Sequence, residues 1–379
     1  MDFSLSKQEQ LFLQMIREFA EKEVKPLAAE VDESERFPME TVQKMAKLGI
    51  MGIPFPVEYG GAGGNNILYT MAVEELSRVC ATTGVIVSAH TSLCCAPIME
   101  HGTPEQKAKY LPKLTSGEWI GAFGLTEPNA GTDASAQQTF AVKEGDHYVL
   151  NGSKIFITNA GYAHVYIIMA MTDKSKGTKG ISAFILEKDF PGFSIGKKEK
   201  KIGIRGSATC ELIMENCIVP AENLLGQEGK GFGIAMKTLD GGRIGIASQA
   251  LGIAQGAMDE TVKYVKERKQ FGKAIGQFQN TQFQLADLQT KVEAARLLVR
   301  QAAYKKDLKV PYSADAAMAK LFAAETAMEV TTKAVQFHGG YGYTREYPVE
   351  RMMRDAKITE IYEGTSEVQR MVIAANLLK

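Results

Sequence analysis

The order in which two hydrophobic periods appear along the chain limits its fold more than any other feature. From residue 1 to about 118, and again from Gly231 onward, apolar residues recur at the spacing of amphipathic helices. Between these stretches, from Trp119 to about 226, short apolar or alternating runs are separated by Gly, Asp, Asn and Pro at strand-like intervals. Helices, then strands, then helices indicate an α+β fold and not an alternating βαβ fold. We therefore expect an N-terminal helical domain (1–118), a central β domain (119–226) and a C-terminal helical domain (227–379).

Single elements are predicted from their end signals and periods. Ser6 followed by Glu9 is a capping box that starts the first helix. Further N-terminal helices are expected over 39–48, 67–80, 84–102 and 104–114. Strands are expected over 147–151, 154–158, 165–171, 181–187 and 209–219. Four long amphipathic segments predict an antiparallel four-helix bundle at the C-terminus: 245–268, 277–306, 313–338 and 366–378.

Charge and cysteine content exclude several classes of protein. Lys plus Arg and Asp plus Glu both number 44, whereas nucleic-acid binders usually carry a basic excess, so we expect no nucleic-acid partner. The five cysteines form no CxxC pair and have no histidine at ligand spacing, which predicts free thiols and no metal site. No run approaches the roughly 18 apolar residues of a membrane span, and the first residues resemble no signal or transit peptide. We expect a cytoplasmic bacterial protein without a membrane partner.

Glu363 is the first candidate for chemistry. It follows two bulky apolar residues, Ile361 and Tyr362, and precedes Gly364. Apolar surroundings raise the pKa of a carboxyl group and make it a stronger base than in water. A glycine beside it lets the backbone pass close to a ligand. Taken alone, a Glu-Gly pair is more typical of a helix cap or a loop than of a catalytic base.

Four other motifs could bind a cofactor, and each also has a purely structural explanation. The loop over 123–133 could present N–H groups and hydroxyls to a polar ligand, or be an ordinary turn. Phe156 could stack on a flat heterocycle or pack in the core. Arg268 could bind a pyrophosphate or simply stabilise a helix C-terminus, and the glycines over 339–342 could approach a ligand or stop a helix. No glycine cluster matches GxGxxG, so any dinucleotide is bound without a Rossmann turn.

Seven segments, in matching order and spacing, resemble the acyl-CoA dehydrogenase family along the whole chain, and its short-chain, butyryl-CoA class in particular. These segments are 125–128, 151–154, 203–207, 220–226, 242–252, 268–272 and 361–369. The resemblance implies FAD bound without a Rossmann fold, a homotetramer built as a dimer of dimers, and electron-transferring flavoprotein as the electron acceptor.

The resemblance also implies roles for individual residues. The flavin ring would contact Phe123, Leu125, Thr126, Phe156 and Thr158. The phosphates would lie near Gly131 and Thr132. The FAD of a neighbouring subunit would be reached by Arg268, Phe271 and Gln279, and its adenosine half by Gln336, Gly339 and Gly340. Thr365 and Glu367 would lie beside the base, near FAD. The CoA substrate would contact Thr132, Asp240, Arg243 and Gly364.

The implied reaction is α,β-dehydrogenation of a short-chain acyl-CoA, butyryl-CoA to crotonyl-CoA or the reverse, with Glu363 as the base. A minority of the family carries its base just before an arginine of the bundle, where this chain has Gly242. An arginine that would hold a second substrate carboxylate is missing over 85–95, which argues against glutaryl-CoA. Two alternatives stay open: an acyl-CoA oxidase, a class that usually has an added C-terminal domain, and a non-catalytic acyl-CoA or flavin-binding scaffold.

Overall fold

Helices, a mixed sheet and a second set of helices follow one another in a computed structural model that describes residues 4–379. The predicted α+β order is confirmed. The α-helices of the first set are Lys7–Phe19 (α1), Ala28–Ser34 (α2), Met39–Lys47 (α3), Asn66–Val79 (α4), Ala81–Ala89 (α5), Ala96–His101 (α6) and Pro104–Thr115 (α7). The capping box of α1 is also confirmed, because Glu9 N–H donates to Ser6 Oγ (3.3 Å) and Ser6 N–H donates to Glu9 Oε2 (2.8 Å).

Helices α5 and α6 are joined by a π-helical segment, His90–Cys95, into one helical stretch, Ala81–His101. Within residues 4–379 this is the one helix whose length and hydropathy would allow it to cross a membrane, which a count of consecutive apolar residues had not revealed. Its most apolar window is 89% buried inside the protein. The apolar character of this stretch is therefore explained by its place in the core.

The sheet is mixed and contains eight strands. They are Gly121–Gly124 (β1), Phe140–Glu144 (β2), His147–Thr158 (β3), Val165–Met171 (β4), Ile181–Glu187 (β5), Phe193–Lys198 (β6), Thr209–Pro220 (β7) and Leu224–Leu225 (β8). Their order is β6-β7-β3-β2-β4-β5-β8, and β1 pairs in parallel with β4, with Gly121 opposite Val165. In the loop that follows β1, the carbonyl oxygen of Thr126 accepts the N–H of Ile155, so this loop lies beside β3.

Two details of the sheet differ from the predictions. The separate strands expected over 147–151 and 154–158 are wrong, since they form the single strand β3. Irregular pairing with β7 near Gly152 (φ +141°) and Phe156 (φ +60°) lets the strand continue through residues that read as a turn. Strands β1, β2, β6 and β8 were not predicted: β1 and β8 are only four and two residues long, and most side chains of β2 and β6 are at least partly exposed and give no apolar alternation.

The second set of helices begins at Gly231, where the helical period was expected to return. It comprises Gly231–Glu267 (α8), Gln279–Asp307 (α9), Ser313–His338 (α10), Val349–Lys357 (α11) and Ser366–Leu377 (α12), and a short hairpin, Lys269–Gln270 (β9) and Lys273–Ala274 (β10), joins α8 to α9. The first long segment predicted in this set, 245–268, started too late, since α8 already begins at Gly231. The amphipathic helix α11 was not predicted, whereas α10 has the predicted bounds.

Two glycines of α8 allow this helix to pack directly against the backbone of α4, which belongs to the first set of helices. A Cβ on Gly252 would lie 2.2 Å from the carbonyl oxygen of Glu74, and one on Gly256 would lie 2.0 Å from that of Arg78, so α4 crosses α8 where no side chain fits. The buried Glu74 carboxylate also binds Arg296 (3.0 Å) and Arg300 (2.7 Å) of α9. These contacts fix the position of α8, which carries one wall of the site described below.

The connecting segments contain the expected domain limits, which stay predictions: residue 119 falls between α7 and β1, and residue 227 falls between β8 and α8. All five cysteines are buried and unpaired. In the part of the chain that the structure describes, no group of three or more His, Cys, Asp or Glu side chains could hold a metal ion.

Candidate active site

Glu363 lies in a left-handed turn between the single 3₁₀ turn Ile358–Glu360 and helix α12. Its φ is +54°, and Gly364 follows with φ +95°. A non-glycine residue in this region costs on the order of 1 kcal/mol or more, so its surroundings must hold it there. Two buried side chains do so: Lys320 Nζ and Gln369 Nε2 donate to the carbonyl oxygen of Gly364 at 2.7 and 2.8 Å. Thr365 then begins α12 by accepting the N–H of Val368.

One oxygen of the Glu363 carboxyl group is shielded from water, although the residue as a whole is half-buried. Its Oε2 atom is buried and has no hydrogen-bond partner among the described residues. Burial disfavours the charged form and raises the pKa of Glu363 to about 8, although the nearby cations of Lys320 and Arg243 act in the opposite direction. A carboxylate whose pKa is near neutrality, and which has an oxygen that accepts no hydrogen bond from the protein, is suited to accept a proton from a bound molecule.

Helix α8 approaches this carboxylate at a notch in its surface that is formed by Gly242 and Gly245. A Cβ on Gly242 would lie 2.0 Å from Glu363 Oε2 and 2.8 Å from Leu93 Cδ2. One turn further along, a Cβ on Gly245 would lie 2.3 Å from Ser88 Oγ. The two glycines therefore let the backbone of α8 lie against the base and Ser88, where a side chain would not fit.

Arg243 belongs to the surroundings of the base. Its guanidinium donates to Asp240 Oδ1 at 2.7 Å, while its buried Nε has no partner among residues 4–379. Ser313 Oγ donates to the same Asp240 oxygen at 2.9 Å. Arg243 lies close enough to lower the pKa of Glu363. Burial meanwhile raises the pKa of Asp240.

Comparison with known proteins decides the family. Three family models match successive parts of the chain: acyl-CoA dehydrogenase N-terminal domain over 6–118, middle domain over 122–217 and C-terminal domain over 229–378. A short-chain specific acyl-CoA dehydrogenase of Clostridium acetobutylicum is 67% identical over 379 residues, which cover all of both chains. The chain belongs to the acyl-CoA dehydrogenase family. Its predicted membership of that family, through the short-chain class, is confirmed.

Two solved structures of family members superimpose closely on this chain. One was solved in work on the electron transferring flavoprotein of Acidaminococcus fermentans; it is 58% identical with a TM-score of 0.99, over all of both chains. The other is butyryl-CoA dehydrogenase from Megasphaera elsdenii, 55% identical with a TM-score of 0.98, again over all of both chains. Acyl-CoA dehydrogenases are FAD-dependent, and two groups of residues in this chain suit the two ends of that cofactor.

One group of residues suits the flavin end of FAD. Ile155 N–H donates to the carbonyl oxygen of Thr126 (2.9 Å), which holds the loop after β1 against β3. Phe156, on this part of β3, is 60% exposed despite being aromatic, so its ring is free to cover a ligand. Phe123 and Leu125 share a hydrophobic cluster with Leu93, which packs at the Gly242 notch beside Glu363. Thr158, at the end of β3, is half-buried.

A second group suits a nucleotide. Arg268, Gly339 and Gly340 line a cavity of about 490 Å³ together with Tyr264 and Tyr341. A Cβ on either glycine would meet nothing within 4 Å, so the cavity floor is open backbone. The Arg268 guanidinium lies 5.7 Å from the centre of the Tyr341 ring, at cation–π distance. Gln336, in the last turn of α10, is exposed and lies three residues before Gly339 in the sequence.

The remaining predicted residues lie at the surface of the single chain. Phe271 is 94% exposed on the β9–β10 hairpin, and Gln279 is exposed at the start of α9. Gly131 and Thr132 lie on an exposed loop, and neither is brought into contact with Glu363. Glu367 is exposed in the first turn of α12. Their assignment to FAD or substrate stays a prediction.

Two buried lysines were not predicted from the sequence to have a role at this site. Lys320, on α10, contacts the turn that carries Glu363. Lys154, on β3, donates to Glu127 Oε1 at 2.7 Å and to the carbonyl oxygen of Leu125 at 3.1 Å, which fixes the loop after β1. A signal for Lys320 does exist, since it shares one helix face with alanines at 316, 323, 324 and 327, where a lone lysine is unusual.

Proposed function

We propose that this protein catalyses the FAD-dependent α,β-dehydrogenation of short-chain acyl-CoA thioesters, with butyryl-CoA and crotonyl-CoA as its substrate pair in either direction. The observation that carries the proposal is the buried, unpartnered Oε2 of Glu363 facing the notch at Gly242. The short-chain class is supported by the name of the Clostridium acetobutylicum relative and by the butyryl-CoA dehydrogenase structure.

Glu363 acts as the base in this proposal. The Cα–H bond of the thioester breaks, and the proton passes to the carboxylate of Glu363. Because this C–H group is a very weak acid, the developing enolate oxygen needs hydrogen-bond donors, for which we propose the backbone N–H of Glu363. FAD supplies the acceptor for the β-hydride when it is bound. The raised pKa of Glu363 brings its basicity closer to that of the polarised α-carbon.

Gly364 contributes through its conformation. Its φ of +95° is strained for any other residue, and a Cβ there would lie 2.8 Å from Gln369 Nε2 and 3.1 Å from Val368 Cγ1. A side chain at 364 would therefore disturb the hydrogen bond that fixes the turn. We infer that the glycine keeps the backbone N–H of Glu363 in place beside the substrate.

FAD would be held at two places. The flavin would lie against Phe123, Leu125, Thr126, Phe156 and Thr158. The nucleotide end of the FAD of a neighbouring subunit would lie against Arg268, Gln336, Gly339 and Gly340. The open cavity of about 490 Å³ at Arg268 supports the second assignment. Exposure of the aromatic ring of Phe271 supports a contact with a neighbouring subunit, and we propose a homotetramer built as a dimer of dimers.

Electrons would leave through electron-transferring flavoprotein. The close match to a chain solved in work on such a flavoprotein supports this partner. We propose that the reaction takes place in the cytoplasm.

Turnover of acyl-CoAs from C4 to C12 with a dye acceptor tests the function. We expect the highest kcat/KM with butyryl-CoA. An optimum at C8 or longer would reject the short-chain assignment, and no turnover at any length would favour the scaffold alternative. Anaerobic bleaching by butyryl-CoA followed by air separates a dehydrogenase, which reoxidises slowly, from an oxidase, which reoxidises rapidly and forms peroxide.

A further inference from the structure

Lys320 is a buried charged side chain without a carboxylate partner. It lies in the first third of α10, has 0% exposure, and shares its helix face with Ala316, Ala323 and Ala327. An ammonium group is costly to bury unless something compensates for its lost hydration. The one hydrogen bond that the described structure gives it runs from Nζ to the carbonyl oxygen of Gly364, at 2.7 Å. The position of this lysine is therefore explained by the turn that carries the base.

The bond to Gly364 holds a backbone conformation that would otherwise relax. Glu363 and Gly364 are both left-handed, and the Gly364 carbonyl is the shared acceptor of Lys320 and Gln369. Gln369 comes from α12, immediately after the turn, whereas Lys320 comes from a different helix. Lys320 therefore ties the turn to the bundle, and through the bundle to Gly242 on the opposite wall.

The charge of Lys320 acts on the same carboxylate. The groups that face Glu363 from the packed elements are Lys320 of α10, Arg243 of α8, Tyr69 of α4 and the adjacent Tyr362. Arg243 is paired with Asp240, but Lys320 binds only a carbonyl among the residues described. Glu360 and Glu367 also favour the charged form of Lys320, while burial lowers the pKa of Lys320 to about 8. A positive Lys320 stabilises ionised Glu363 and so lowers the pKa of that carboxyl.

We propose that Lys320 is a positioning residue for the Glu363 base: its ammonium fixes the Gly364 carbonyl, and its charge favours the ionised carboxylate. The inference rests on the proposed function. It adds a residue that is not among the predicted substrate contacts and that sets both the position and the ionisation of Glu363.

Two neutral replacements of Lys320 test this inference against a matched variant of Gln369. In Lys320→Met, both the hydrogen bond and the charge are lost. In Gln369→Leu, a hydrogen bond to the same carbonyl is lost while the charge stays. The FAD-loaded proteins are compared by kcat and KM for butyryl-CoA from pH 5.5 to 9.5, after FAD content and melting temperature have been measured. Lys320→Gln carries the same test if the methionine variant is not recovered as a yellow protein.

Both Lys320→Met and Gln369→Leu should lower kcat, by about 10²-fold at pH 7 for Lys320→Met, the scale of a 1 Å misplacement. KM should change by less than about 3-fold, because substrate contacts are retained. Only the Lys320 variants should move the acid limb of the kcat profile, upward by roughly one unit.

An unmoved acid limb in both Lys320 variants, or an unchanged kcat, would overturn the inference. An equal upward shift in Gln369→Leu would also overturn it, since the charge would then not be the cause. The wild-type protein tests the proposed function separately: if it turns over butyryl-CoA while the variants behave like it, only the Lys320 inference fails.

Discussion

A Cβ built on Gly242 lies 2.0 Å from Oε2 of Glu363, so the carboxylate occupies the space that a side chain on α8 would fill. Leu93 closes the same space, with Cδ2 at 2.8 Å from that position. Non-bonded carbon and oxygen atoms do not approach this closely, and either the helix or the carboxylate would have to move. Residues 242 and 363 are therefore mutually exclusive positions for a side chain in this site.

The variant Gly242→Ala should displace Glu363 and lower kcat by about 10²-fold, since misplacement of a catalytic group by about 1 Å has that effect. FAD content and melting temperature should stay close to wild type. Gly233→Ala is the matched control, because it lies in the same helix and a Cβ there meets nothing within 4 Å. Equal kcat values in the two variants would show that the carboxylate does not depend on the notch.

The rate should depend on pH through Glu363. Burial raises the pKa of this carboxyl to about 8, so at pH 7 most free protein carries the protonated form, which cannot act as a base. Because ionisation increases with pH, kcat/KM for butyryl-CoA should rise from pH 6 and level off above about pH 8. Measurement of kcat/KM across this range checks the sign, and a rate that is flat or falling between pH 6 and 8 would contradict it.

The variant Arg268→Ala should weaken FAD retention more than it harms turnover. Arg268 lines the open cavity with Gly339 and Gly340, so its loss removes a cation where phosphates would bind. Flavin absorbance after gel filtration measures retention. Lys269→Ala removes an exposed cation one residue away and serves as the control. Equal flavin content in both variants would exclude the proposed role of Arg268.

The variant Lys154→Met should destabilise the protein by about 3–5 kcal/mol, the usual effect of leaving one partner of a buried ion pair alone. Lys154 has 0% exposure, and its partner Glu127 also accepts the N–H groups of Gln138 and Thr139. Glu127→Gln in the same protein removes the uncompensated charge but keeps an acceptor, so it should restore part of the loss. Urea unfolding measures both effects, and a Lys154→Met protein as stable as wild type would contradict the expectation.

The sequence predicted elements with complete local signals and missed those that depend on distant contacts. Helix α10 has the predicted bounds because its period runs unbroken until Gly339. The long segment predicted over 245–268 missed the first turns of α8, because distant contacts decide them: Gly242, which precedes the segment, packs closely on Glu363. Glu363 was predicted from its family motif. Lys320 was not, because its contact with Gly364 spans 44 residues of sequence, and the alanines on its helix face mark an unusual lysine without indicating what it contacts.

The role of Glu363 is tested most directly by kcat for butyryl-CoA in the variant Glu363→Gln, which keeps the shape of the side chain and removes its basicity. The account predicts a yellow protein with wild-type FAD content and melting temperature, and a kcat lower by about 10⁴-fold, the upper range for one acid–base group. A variant that folds, holds FAD and turns over butyryl-CoA within about 10-fold of wild type would contradict the assignment of Glu363 as the base.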